Sequence, residues 1–442
     1  MAADDGTEPP RSSGSMPIPL SNSEGSGRNP ELFRLRARWV LPLTGAPIEN
    51  GAVSVAHGSI ARVGAWTERF QEPGPVFDLG EVILMPGLIN AHCHLDYTHM
   101  GGRIPARRRF TDWIQSIVAL KNSWSEEEFA ASWVEGARRL LGSGTTTVAD
   151  VEAVPSLIPD LWAATPLRVI SFRELLHLKP HPWASECVDA ALQAWSGLPL
   201  QRVGLSPHAP YSTSPDLLRH AARAARDRGW RRVTHVAESE EEFDMFQHAA
   251  GPMFNWLKSQ RDMSDCGRGS PVRALETAGY LGSDLLAIHL NYLAPEDTAI
   301  LARHGVHAVH CPGSHNFFQH RAFPYEILAG AGVNICLGTD SMASMPREGR
   351  ATRSLDLFCE MRTMAESHPG LRPGELLRMA TVNAARALGR EGELGQLVSG
   401  AQADMIALPH AGSASSVEEA VLEHVGSVRA SMVDGEWALA PE

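Results

Sequence analysis

Short apolar, β-rich runs alternate along the chain with stretches whose apolar residues recur three and four apart, the two periods of strand and helix. Eight such runs stand out: Ile83 to Leu95, Thr145 to Val151, Leu167 to Leu175, Arg202 to Pro207, Arg232 to Ala237, Leu285 to Leu290, Ala308 to Cys311 and Val333 to Thr339. The intervening segments Glu126 to Leu141, Pro215 to Arg228, Pro295 to Arg303 and Tyr325 to Ala331 read as helices, often behind a Ser or Pro start signal. Eight β/α units over about 300 residues predict an α/β fold, a (β/α)8 TIM barrel, with its site at the C-terminal ends of the strands.

Both ends of the chain carry a different pattern. Phe33 to Val40, Ala52 to Ala56 and Ile60 to Val63 are short strands between Gly-containing turns, and Asp404 to Leu408, Ser427 to Val433 and Glu436 to Leu439 answer them, with Asp434-Gly435 as a hairpin turn. One small β-sandwich module built from both termini is expected. The division is a disordered tail over 1–29, sandwich strands over 30–84, the barrel over 85–393 and returning sandwich strands over 394–442.

Composition narrows the setting. Of 442 residues 43% are hydrophobic and 20% charged. No apolar run approaches the roughly 18 residues that cross a bilayer, so no membrane partner is expected. The first thirty residues lack the basic start and apolar stretch of a secretory signal. Six cysteines occur without a C-x-x-C pair, which fits reduced thiols in a cytoplasmic protein. A net charge of −12 repels polyanions and argues against nucleic acid. The one dense basic run, Arg103 with Arg107, Arg108 and Arg109, reads as a solvated loop that near a site could also hold an anionic substrate group.

Chemistry gathers at the strand ends. His92 and His94 close the first run, and a period of two turns both imidazoles to one face. His235 ends the fifth run with Glu238 three residues on, and Asp340 ends the eighth. Three nitrogens and one oxygen suit a divalent ion such as zinc with a position left for water. His208 and His289 end the fourth and sixth runs, so five strand ends bring polar groups to one mouth. His310, His315, His99 and His177 are expected to be structural or loop residues.

These residues lie in stretches that resemble the amidohydrolase superfamily, in the branch of adenosine-type and guanine-type deaminases, methylthioadenosine deaminases and triazine chlorohydrolases. The stretches are Met85-Pro86-Gly87-Leu88-Ile89-Asn90-Ala91-His92-Cys93-His94, Pro207-His208-Ala209-Pro210-Tyr211-Ser212, His235-Val236-Ala237-Glu238, His289 and Gly338-Thr339-Asp340-Ser341, followed by Gly395, Gly400 and Ala403-Asp404. The resemblance implies that His92, His94, His235 and Asp340 bind the metal, that Glu238 moves protons, and that His208 and His289 contact substrate. It also makes a homodimer a reasonable expectation.

One metal per chain is expected, zinc with ferrous iron as the alternative, because a two-metal site of this superfamily bridges its ions with a carboxylated lysine. The chain has lysine only at Lys121, Lys179 and Lys258, none in a predicted strand, with Lys179 the closest substitute. A bound divalent ion lowers the pKa of its water from 15.7 towards about 7. Asp340 can accept that water's proton, Glu238 can protonate a ring nitrogen, and His289 can steady the developing oxyanion or leaving group. The second carboxylate favours a hydrolytic deaminase, converting an aromatic C–NH2 to a carbonyl and releasing ammonia, over a hydrolase of a cyclic amide or triazine. A non-catalytic scaffold of the same fold would be expected to lack ligands, and here every position is filled. The small-molecule substrate stays open among aminopurines, pterins and aminofutalosine-like nucleosides. Asp96-Tyr97 is similar to the aminofutalosine deaminases, and the loop from Asp96 to Phe110 with Thr111-Asp112-Trp113 is expected to shape the pocket.

Overall fold

The computed structural model describes residues 29, 31–70, 74–105, 109–345, 347–348, 351–352 and 355–441. The tail over 1–29 lies outside the described residues but for Asn29, and so do Arg107 and Arg108. Eight parallel strands follow one another in chain order around a barrel: Leu88–Cys93, Thr145–Glu152, Arg168–Leu175, Val203–Pro207, Arg231–Val236, Leu285–His289, His307–His310 and Asn334–Leu337. They are barrel strands one to eight below. The ring closes at its C-terminal end, where the N–H groups of Thr339 and Asp340 both donate to the His92 carbonyl at 3.1 Å. Asn90 locks the seam, donating to Thr339 Oγ1 at 2.7 Å and accepting from the Thr339 N–H at 3.1 Å. Gly338 permits this approach, since a Cβ there would stand 2.8 Å from the His92 carbonyl oxygen.

A second sheet of eight strands joins the two termini. Leu32–Val40 pairs with Ile48–Ala56, which pairs with Ser59–Ala65, and on its other side lie Val76–Asp78 and Val82–Pro86. Val82–Pro86 then pairs with Met405–Pro409, followed by Ala430–Val433 and Glu436–Leu439. The single first run read from Ile83 to Leu95 is therefore two strands. Its first half belongs to the terminal sheet and its second to the barrel, with the break at Gly87, where the N–H turns to the Asp404 carbonyl and a side chain would collide with Thr146. A continuous apolar run hides such a break because both halves are buried. The strand expected from Ser427 begins only at Ala430.

The helices obey local chemistry. Ser125 and Glu128 form a reciprocal capping box on Glu126–Gly142, and Ser214 caps Pro215–Arg228, which ends at left-handed Gly229. Helix Phe110–Lys121 has no side-chain cap of its own, and its apolar residues Trp113, Ile114 and Ile117 are buried over the barrel mouth. Inside the barrel Ala149, Ile170, Phe172, Val233, Leu286 and Val309 pack as one core cluster. Among the described residues no helix is long and apolar enough to cross a membrane.

Candidate active site

Ile89 and Ala91 join the inner core cluster, so counting by two would turn Cys93 inward rather than the histidines. A register shift between Asn90 and Cys93 breaks the pleat, and Cys93 packs outward with Leu95 and Trp133 while His92 and His94 meet His235. One ligand-type atom from each of these three buried residues lies within 4.8 Å of the others. His94 Nε2 and His235 Nε2 are 3.3 Å apart, and Asp340 Oδ1 lies 3.6 Å from His92 Nε2 and 3.9 Å from His94 Nε2.

This donor set fits a divalent cation. Both ring nitrogens of His92 and Nδ1 of His94 are buried without a hydrogen-bond partner, a costly state for polar atoms unless something else satisfies them. His235 donates from Nδ1 to the His208 carbonyl at 2.8 Å, leaving Nε2 with its lone pair toward the cluster. Two zinc–nitrogen bonds of about 2.1 Å at a tetrahedral angle would set their nitrogens roughly 3.4 Å apart. Burial first, then neighbouring imidazoles, lowers His94 to about 3 and holds His235 well below the usual histidine range. Burial opposes ionisation of Asp340, yet His92 and the other imidazoles beside it keep its carboxyl below the usual range. Neutral imidazoles and an ionised carboxylate are the forms that ligate.

The remaining groups surround that cluster. His289 Nε2 lies 3.4 Å from Glu238 Oε1. Burial, then the charges of Asp340 and Glu242, raises Glu238 well above the usual carboxylate range. Its backbone is clamped on both sides, its N–H donating to Glu242 at 2.8 Å and its carbonyl accepting from Asn291 Nδ2 at 2.9 Å. Ala237, His289 and Asp340 hold φ of +53°, +79° and +54°, left-handed backbone that turns the chain sharply off the strand ends. Such conformations cost free energy in residues other than glycine and gather at functional sites. Asp340 Oδ2 accepts from Ser344 Oγ at 3.0 Å. His208 shares a hydrogen bond with Ser212 Oγ at 2.7 Å through Nδ1, its other ring nitrogen having no hydrogen-bond partner among the described residues.

A cleft of about 630 Å³, its open mouth included, brings His94, His208, His235, Glu238, His289 and Asp340 together. The other four histidines do not line it. His310 stacks on Phe323, His315 bonds Asn291, His177 bonds Ser214, and His99 is exposed. Trp113 and Tyr97 do line it, whereas Asp112 is exposed. Arg103 sits over the Trp124 ring, and Lys179 is exposed, away from the cleft.

Two charged residues in the cleft were missed by sequence reasoning, Glu174 on barrel strand three and Lys121 at the end of the mouth helix. They pair at 3.3 Å, and the Lys121 ammonium also lies 4.9 Å from the Tyr97 ring centroid. Burial alone would raise Glu174, but Lys121 and the imidazoles of His208 and His94 bring it down to about 2. The available signal was a carboxylate in phase with inward Ile170 and Phe172 at the end of a barrel strand.

Residues 83–438 match the Amidohydrolase family, and the chain belongs to it. It is 32% identical over 383 residues to a 5-methylthioadenosine/S-adenosylhomocysteine deaminase of Syntrophobacter fumaroxidans, covering 82% of this chain and 80% of the relative. An aminodeoxyfutalosine deaminase of Deinococcus radiodurans is 30% identical over 356 residues, 77% of this chain and 81% of its own. In fold it is similar to a zinc-bound adenosine deaminase of Xanthomonas campestris, with TM-score 0.76, 24% identity and 92% of each chain covered. The protein is a hydrolase of carbon–nitrogen bonds with a divalent-metal site.

Proposed function

We propose that the chain is a zinc-dependent deaminase of an adenosine-type nucleoside, replacing the exocyclic amine by a carbonyl. The observation that carries the reading is the pairing of Glu238 with His289 beside the three-histidine cluster. A single ion would be held by His92, His94, His235 and Asp340. When bound it would supply an activated water and a Lewis acid. Asp340 accepts a proton through its free carboxylate capacity. Glu238, whose environment favours the protonated carboxyl, donates to a ring nitrogen next to the amine-bearing carbon and so makes that carbon electrophilic. His289 steadies the developing charge, and His208 holds the substrate from the neighbouring strand end.

The names of the two relatives support a nucleoside substrate. The free state of Cys93, Cys187, Cys266, Cys311, Cys336 and Cys359 supports a reducing, cytoplasmic setting. A homodimer rests on the family resemblance. Two separate eight-stranded sheets support dividing the chain into a barrel over 85–393 and a module from 30–84 and 394–442.

Ammonia release from a panel of aminopurines, aminopterins, adenosine, 5'-methylthioadenosine and aminated nucleosides tests the reading. Turnover of at least one nucleoside amine is expected. Chloride release from a triazine or hydrolysis of a cyclic amide, with no ammonia from any heteroaromatic amine, would overturn it.

A further inference from the structure

A substrate ring facing Glu238 and His289 at the ends of barrel strands five and six leaves the rest of the molecule to run across the cleft. The polar surface it meets there is on strands three and four, where Glu174 and His208 are neighbours, the His208 N–H donating to the Leu175 carbonyl at 3.0 Å. The Glu174 side chain is only 9% exposed, and Lys121 is its one hydrogen-bond partner among the described residues. An ionised carboxylate has about four acceptor positions, so most of its capacity is unused. The carboxylate lines the open cleft, and the cleft is the direction from which further donors can come.

The charge of the pair selects the donor. A second cation would be repelled by Lys121, which the Tyr97 ring and Glu174 already hold, and an anion would be repelled by Glu174. What remains is a neutral group with more than one O–H donor. Around this point the cleft wall is apolar, formed by Ile114, Ile117, Val118 and Leu176, and offers such a group no competing partner.

We propose that Glu174, held by Lys121, is the sugar subsite of the cleft, its carboxylate accepting from the vicinal hydroxyls of a furanoside. This rests on the nucleoside deaminase reading and adds to it which residue recognises the sugar.

Two measurements test it on the metal-loaded protein. In the first, kcat/KM for ammonia release is compared for adenosine and 2',3'-dideoxyadenosine in the wild type and in Glu174→Gln. The wild type is expected to favour adenosine at least tenfold. The variant should lose that preference through a raised KM for adenosine, with dideoxyadenosine changed less than threefold. Equal loss on both substrates, or no preference in the wild type, would overturn the proposal while leaving the deaminase reading intact. In the second, calorimetry compares inosine with 2',3'-dideoxyinosine, which requires no turnover. Tighter binding of inosine that disappears in Glu174→Gln supports the subsite even if no amine in the panel is deaminated, an outcome that removes the deaminase reading alone. Equal binding of the two by the wild type removes the subsite, and this arm holds should the variant fail to fold.

Discussion

The carboxylate of Glu241 accepts a hydrogen bond from the backbone N–H of Thr111 at 2.9 Å, and from that of Phe110 at 3.1 Å. Helix Phe110–Lys121, which walls the cleft, is thus capped from the first turn of helix Glu240–His248, which begins two residues after Glu238. A carboxylate at a helix N-terminus satisfies orphan donors and complements the dipole. Glu241→Ala is expected to lower stability by about 0.5–2 kcal/mol, the usual cost of a lost cap, and to raise KM several-fold with kcat nearly unchanged. Urea unfolding with steady-state kinetics checks both. A variant with wild-type KM would mean that the helix holds its place without this tie.

Glu238→Gln keeps the side-chain shape and removes the transferable proton. It is expected to retain the metal while kcat falls about 10²–10⁴-fold. Because burial and the charges of Asp340 and Glu242 raise this carboxyl, its protonated form is the one present below the raised pKa. The proton it donates is lost as pH rises, so wild-type kcat should decline on the alkaline side and the variant should lack that limb. Wild-type turnover in Glu238→Gln would make the residue a bystander.

The metal itself gives a sharper count. Elemental analysis of the purified protein should find one divalent ion per chain, and a chelator should abolish activity that added zinc restores. His235→Ala removes one of three converging nitrogens and should lose metal and turnover together. Two equivalents per chain, one of them lost on replacing Lys179, would point to a bridged two-metal site instead.

His208 should separate binding from chemistry. Among the described residues its one side-chain hydrogen bond is to Ser212, and the residue lines the cleft. Loss of a group that holds substrate equally in ground and transition states raises KM and spares kcat. His208→Ala is expected to do that, and a matching fall in kcat with unchanged KM would assign it a chemical role.

The barrel and the histidine and carboxylate positions were legible because both follow from a repeated rule. Eight alternations specify the barrel, and a barrel sends every strand end to one mouth. His92 with His94 shows how far that rule reaches. Their shared face was readable, but the register shift that turns it inward is a property of the seam with the neighbouring strand. Glu174 was passed over because adjacent Arg173 and Glu174 near the end of an apolar run must face opposite ways, and which of them is the ordinary outward position is settled only when packing fixes the phase. Lys121 sits at a helix end, where a lysine is already explained by the dipole, and only the fold brings it beside Glu174. The break at Gly87 was hidden for a related reason, since the strands on its two sides are both buried in different sheets.

Ion pairs from Arg168 tie the terminal sheet to the barrel at the end away from the site. Arg168 opens barrel strand three, and its guanidinium donates to Asp404 through Nε at 3.1 Å and Nη2 at 3.0 Å. Asp404 is buried, and its Oδ1 also accepts from the Asp434 N–H at 2.8 Å. Removing one partner of a buried pair leaves the other charge uncompensated, a loss of about 3 kcal/mol, which the second contact of Arg168, Nη2 to Asp434 Oδ1 at 2.5 Å, should reduce only in part. Asp404→Ala is therefore expected to shift the urea midpoint markedly. Glu174, near the other end of the same strand, stands six residues away, about 20 Å at roughly 3.3 Å per residue. Activity below the unfolding transition should accordingly stay within twofold of wild type. A drop in kcat/KM as large as that produced by Glu241→Ala, without a change in stability, would show that the terminal sheet acts on the cleft rather than bracing the base of the barrel.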